Sequence, residues 1–261
     1  MINSNNKKPV VMVIAGHDPS GGAGIQADIE SIANAGCHAV TVITALTAQN
    51  TKQVADVIPQ EPESFRKQIK LILEDMEIAA CKIGMIASIE LIDVIQSELS
   101  NIDIPLVLDP VLAATSGRSF TDKNMCEKIL SSLFPLASIV TPNSEEARAL
   151  SQSTDLNTAA NKLLTYGTKA VLITGADENT NEVINSFYTK DNAPIDYKWQ
   201  RIANTFHGSG CTLSSRIAAL LALGNDLKTA IEDAQAYTWN TLKHGLTLGQ
   251  AQAQPDRFYD K

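Results

Sequence analysis

The chain has no apolar stretch long enough to cross a bilayer: the longest, around 40–48 and 217–223, fall well short of the roughly 18 residues a span needs. Lys7 and Lys8 precede an apolar run, but it stops after about six residues at Gly16-His17-Asp18, short of the 7–15 of a secretory leader. A buried first strand over 10–15 is the better reading. Cysteine is sparse as well. Cys37, Cys81, Cys126 and Cys211 lie far apart, with no CxxC pair, in a chain of 261 residues that needs no disulfide staples, and this usage fits a reducing cytoplasm. Basic residues are few and unclustered. Their excess of acidic partners gives a net charge of −8, which argues against a nucleic-acid surface. Neither GxGxxG nor a GK[ST] ending follows the first strand, so the Rossmann and Walker A phosphate loops are poor matches and an NAD-dependent oxidoreductase is disfavoured. Repeats, low-complexity tracts and linkers are absent too, and residues 1–261 read as one domain.

What the chain does have is alternation. Short apolar runs predict strands over 10–15, 38–45, 79–83, 106–108, 138–140 and 170–174. Between them, helical spacing predicts helices over 25–35, 61–76, 89–99 (Ser88 as cap), 122–133 (Thr121 as cap) and 157–166. Buried strands alternating with helices imply a mostly parallel sheet covered on both faces, an α/β/α sandwich. Residues 183–188 and 197–202 read as a hairpin or edge pair around 190–194, and helices over 210–223 and 227–244 follow. The tail after Leu248 carries no signal.

In such a sheet ligands bind beyond the C-terminal ends of the strands. The most informative segment is Phe206-His207-Gly208-Ser209-Gly210-Cys211-Thr212-Leu213, a glycine-bracketed turn and a thiol opening an apolar helix. Glycines let backbone amides crowd a ligand, and the free N–H groups and positive dipole end of a helix favour a phosphate. A cysteine held there is expected to have a lowered pKa. A second glycine-rich turn, Gly16 to Gly24, follows the first strand. Gln49, after the second strand, offers an amide that both donates and accepts. Asn143 and Glu146, three residues apart, approximate a capping box. His38, His207 and His244 have no ligand spacing, and a packed or capping role is the commoner case.

Six segments in order, AGHDPSGGAGIQAD (15–28), VITALTAQNT (42–51), KIGM (82–85), LDPV (108–111), TPNSEEA (141–147) and HGSGCTLS (207–214), together resemble the bacterial hydroxymethylpyrimidine/phosphomethylpyrimidine kinases of thiamine biosynthesis, in the ribokinase-like superfamily. The resemblance implies a ribokinase-like three-layer fold, ATP and Mg²⁺ as cofactors, a small pyrimidine as substrate, a homodimer, and two successive phosphorylations, of the hydroxymethyl group and then of the monophosphate. It implies a catalytic Cys211, an anion hole from Gly208, Ser209 and Gly210, a pyrimidine site from Gln49, Asp28, Gly16, Ala23, Met85 and Val111, and a role for Asn143 and Glu146 at Mg²⁺ and phosphate through water. For Val111 plain core packing is the stronger local reading. Three positions depart from the pattern: His17 stands where Ser or Thr is usual, Ser209 replaces Thr, and Ile173-Thr174-Gly175-Ala176 replaces a Lys-Gly-Gly run near the nucleotide. A pyridoxal-type kinase is the alternative within the fold, and a catalytically silent ligand-binding domain the alternative outside it.

Overall fold

The computed structural model describes residues 7–113 and 120–261. Strands β1 (Val10–His17), β2 (His38–Gln49), β3 (Val54–Pro59), β4 (Ile78–Ile83), β5 (Leu106–Leu108), β6 (Ile139–Val140), β7 (Ala170–Ile173), β8 (Glu182–Thr189) and β9 (Asn192–Gln200) form one sheet in the order β3-β2-β1-β4-β5-β6-β7-β8-β9. The six strands from β2 to β7 in that order run parallel, β3 on one side and β8 on the other run antiparallel to them, and β9 pairs antiparallel with β8. Helices are α1 (Gly24–Asn34), α2 (Pro62–Asp75), α3 (Ile89–Leu99), α4 (Lys123–Ser132), α5 (Ser144–Ser151), α6 (Leu156–Leu164), α7 (Ser209–Ala222) and α8 (Leu227–Lys243). Among the described residues no helix is long and apolar enough to cross a membrane.

Because β1 is buried on both faces, its alternate side chains serve two cores. Met12 and Ile14 join Phe65, Ile69, Leu91 and Ile95 under α2 to α6, whereas Val11, Val13 and Ala15 join Ile32, Ile217 and Ile231 under α1, α7 and α8. The chain leaves β1 to build β2 on one side and returns to build β4 on the other. That reversal opens a crevice beyond the C-terminal end of β1, the place where ligands bind in such sheets.

Several boundaries differ from the sequence reading. β2 runs on to Gln49 because the unforeseen β3 pairs with it as a ribbon, Gln49 opposite Val54. β3 is mostly exposed and ends in a proline, so it has the composition of an edge rather than of a core strand. The last hairpin turns at Lys190 and Asp191, and Pro194 lies inside β9, which tolerates it as the terminal strand of the sheet. Asp122, not Thr121, caps α4 by accepting from the Met125 N–H, and the Ser88 side chain makes no cap bond at α3.

Candidate active site

Two glycine turns meet at the end of β1. The first, Gly16 to Gly24, is organised by Asp18, whose buried carboxylate accepts from the Ser20 and Ala23 N–H groups, each at 2.8 Å, and from the Ser20 hydroxyl. Its Oδ2 also lies 2.9 Å from His207 Nε2 on the second turn. Burial works to raise the Asp18 carboxyl, but these bonds, led by His207, hold it down at about 2. The second turn caps α7 with Gly208 in the left-handed region at φ 89°. A Cβ there would come within 1.9 Å of the Gly22 carbonyl oxygen, so only glycine lets the turns press together. Likewise a Cβ on Gly24 would come within 2.3 Å of the Gly16 carbonyl oxygen.

The α7 N-terminus thus aims its free N–H groups into the crevice with Cys211 in its first turn. Here the structure corrects one expectation. The Cys211 thiol is not lowered but pushed up to about 12, because burial outweighs the Lys82 ammonium and the Gly24 N–H that favour the thiolate, while Asp109 and Asp28 add to the rise. Asp109, at the end of β5, accepts from the Ser214 hydroxyl at 3.1 Å, and the Cys211 side chain beside it favours its charged form. Burial raises its pKa as well, with Lys82 opposing. Lys82, on β4, is fully buried and pairs with Asp28 Oδ1 at 2.8 Å; burial alone would discharge it, but the negative charges of Asp28 and then Asp109 hold it protonated.

All of the sequence-predicted site residues except Asp28 line one cavity of about 780 Å³, a volume in the range of small-molecule sites. Gly16, Ala23, Gln49, Met85 and Val111 line it beside β1, β2 and β4, so Val111 faces the cavity and is not core filling. Thr44 and Thr47 of β2 fix this end by donating to the Met85 and His17 carbonyls, at 2.7 and 2.8 Å. Gly208, Ser209, Gly210 and Cys211 line the middle. Asp28 instead lies wholly buried on α1, where it accepts from Lys82 and from Ser215 at 2.6 Å, and it bears on the cavity only through Lys82. The cavity continues to Thr174, Asp177, Asn185, Trp199, Arg201 and Trp239, around β7 to β9 and α8. From β1 to β7 the sheet order takes four strand steps, ~19 Å at ordinary spacing.

Asn143 and Glu146 form a complete capping box on α5: Asn143 Oδ1 accepts from the Glu146 N–H at 2.8 Å and Glu146 Oε2 from the Asn143 N–H at 2.9 Å. Glu146 Oε1 also accepts from the Leu112 N–H at 3.2 Å. Burial, and then the negative charge of Asp109, push the Glu146 carboxyl up to about 8. A pair of buried carboxylates that disfavour each other's charge is chemically suited to a divalent cation. With both Glu146 oxygens already accepting from amides, such a cation fits best as a hydrated ion held through water. Capping and cation binding are therefore compatible here.

The family model for phosphomethylpyrimidine kinase matches residues 18–256. The chain belongs to this family. A hydroxymethylpyrimidine/phosphomethylpyrimidine kinase from Synechococcus elongatus is 34% identical over 96% of this chain and 98% of its own. Of two chloroplastic thiamine biosynthetic bifunctional enzymes, from Arabidopsis thaliana and Oryza sativa, the chain spans about half the length, 51% and 45%. Among solved structures, a Bacillus subtilis pyridoxal kinase in an ADP complex superposes with a TM-score of 0.89 at 26% identity, covering 96% of this chain and 98% of that one. A phosphomethylpyrimidine kinase from Clostridium difficile has a TM-score of 0.77 at 34% identity, covering 89% and 98%. The fold is the ribokinase-like one these kinases share.

Sequence reading gave no role at the site to several residues that the structure gathers there. Asp109 follows a parallel strand, the position where ligand contacts are expected, and that was the available signal. Lys82 stands in an otherwise apolar strand, and a lysine there has to find a buried carboxylate. His207 is a structural partner of Asp18 and needed no ligand spacing to matter.

Proposed function

We propose that this chain phosphorylates the hydroxymethyl group of an aminopyrimidine from Mg-ATP and then phosphorylates the monophosphate. The observation that carries the reading is the juxtaposition, in one cavity, of a donor-acceptor amide at Gln49, a helix N-terminal anion turn at Gly208 to Cys211, and a carboxylate pair suited to a divalent cation. The superposition on an ADP-bound relative supports the nucleotide's place in the reaction.

Phosphoryl transfer asks the protein mainly for position and for charge stabilisation. Gln49 pairs with the polar edge of the ring, while Met85 and Val111 pack its faces. The amides of Gly208 to Cys211 meet the charge that develops on the transferring group, and being fixed they reorient nothing as it forms. Bound Mg²⁺ supplies countercharge on the ATP oxygens, with Asn143 and Glu146 as its water-mediated holders. Cys211 is a thiol in the resting protein, so it takes the alcohol proton on sulfur only as its own proton passes to Asp109. The O–H bond breaks as O–P forms, the bond from the transferred phosphorus to the β–γ bridging oxygen breaks and ADP leaves, S–H re-forms, and Asp109 ends as the carboxylic acid. A raised Asp109 pKa favours that acceptance.

The test is to follow ³¹P resonances with the alcohol, Mg-ATP and purified protein. The reading expects a monoester that rises and then gives way to a diphosphate. Production of the monoester alone would remove the second step from the proposal, and no new phosphate resonance would remove both.

A further inference from the structure

The two turns of the active site belong to segments nearly two hundred residues apart, and one side chain from neither of them bonds to the first directly and to the second through the Thr212 hydroxyl. Arg257, in the C-terminal tail, has a side chain only 1% exposed. Its Nη2 donates to the Gly22 carbonyl in the acceptor turn. Its Nε donates to Thr212 Oγ1 at 3.0 Å, and that hydroxyl donates to the Gly208 carbonyl at 2.8 Å, the cap of the anion turn. Its Nη1 reaches Glu30 on α1 at 3.0 Å. The tail around it adds two further stitches: the His207 N–H donates to the Ala253 carbonyl at 2.9 Å, and Gln254 Nε2 to the Ser20 carbonyl at 3.1 Å. Arg257 does not line the cavity.

We propose that Arg257 is a positioning residue for phosphoryl transfer, fixing the acceptor turn against the anion turn so that the bound alcohol faces the transferring phosphorus in line. The planar fork of arginine is what the arrangement uses, since three donors in fixed directions meet three partners on different segments. A lysine of the same charge gathers its three N–H donors on a single nitrogen and cannot span partners on three segments. Gly208 and Gly22 leave no Cβ between the turns, so their separation is set by backbone contact and by whatever holds that contact closed. Each turn carries its own ligand groups. Loosening the joint therefore spoils the alignment of the two substrates more than the binding of either one.

The proposal rests on the kinase reading, and its test separates the two. In Arg257→Lys, kcat for both phosphorylations should fall at least ~10-fold, while KM for the pyrimidine moves by less than about threefold, because misplacement by ~1 Å costs up to ~100-fold in rate. Arg257→Ala should fall further and recover in part with millimolar guanidinium ion but not with methylammonium. Independently of activity, hydrogen exchange at the amides of residues 20–23 and 207–212 should speed up together in Arg257→Lys, with β1 and β4 unchanged. Folded Arg257→Lys with kcat within twofold of the parent would overturn the proposal, as would exchange in the two turns that matches the parent. If Arg257→Ala does not fold, the lysine variant decides alone. A parent protein that phosphorylates no pyrimidine would sink the kinase reading, and the exchange measurement would still report on whether Arg257 joins the turns.

Discussion

Replacing Cys211 with alanine separates the two chemical steps, because their nucleophiles differ. A neutral alcohol must lose a proton as it attacks, and a positioned acceptor contributes ~10²–10⁴-fold to such a step. A phosphate monoester, with a second pKa of about 6, is largely ionised near neutral pH and needs no acceptor. With the thiol pushed up to about 12, only about one molecule in 10⁵ holds a thiolate at pH 7. A cysteine that worked from a resting thiolate would lose more through that rarity than a base returns, which is why the proton has to move on to Asp109. Cys211→Ala should thus slow the alcohol step by ~10²–10⁴-fold and the monophosphate step by less than about tenfold, the anion-turn amides being intact. Asp109→Asn should slow the alcohol step by a similar factor, and the double variant should be no worse than the poorer single one, because both act on one proton path. The assay is single-turnover transfer from saturating Mg-ATP, with the alcohol and the monophosphate offered separately. Equal fractional losses in both steps would refute the reasoning and make Cys211 a packing residue of the helix start. Additive losses in the double variant would refute the relay to Asp109.

Three further outcomes follow from the site. Gln49→Leu should weaken pyrimidine binding by about 1–3 kcal/mol in calorimetry while nucleotide affinity holds, since ligand polar groups are left buried and unpaired. In the metal-free protein Glu146 is a neutral acid below about pH 8, and Mg²⁺ selects the carboxylate, so the Mg²⁺ needed for half-maximal activity should fall about tenfold between pH 7 and 9; Glu146→Gln should raise that requirement and flatten its pH dependence. The Asp18 carboxyl is depressed from 3.8 to about 2, so its contribution to stability, about 2 kcal/mol, is complete above the unfolded value and lost as pH falls toward 2; urea unfolding of Asp18→Asn should lack that acid-labile part.

How far the sequence disclosed this site depended on the range of the contacts involved. The central strands were legible because burial on both faces leaves an apolar run, and the segments following them carried Gly16, Gln49, Met85 and Asn143 into view, while Gly208 to Cys211 stood out as a glycine turn opening an apolar helix. β3 was not legible: its short, mostly exposed run resembles a loop until β2 pairs with it. Lys82 finds Asp28 across 54 residues and Arg257 finds Gly22 across 235, and no local pattern encodes partners so remote. The lowered pKa expected of Cys211 failed for the same reason. The helix N-terminus that lowers it is local and was visible, whereas the burial and the Asp109 carboxylate that raise it come from the fold.

The central claim is that the cavity selects a hydroxymethyl-bearing aminopyrimidine for phosphorylation. The most direct measurement is ADP release with hydroxymethylpyrimidine, pyridoxal and ribose as competing acceptors at equal concentration, with products resolved by mass. The account predicts that phosphorylated pyrimidine dominates, that the diphosphate follows, and that ribose stays untouched. Pyridoxal phosphate as the main product, with the pyrimidine left as the alcohol, would contradict it.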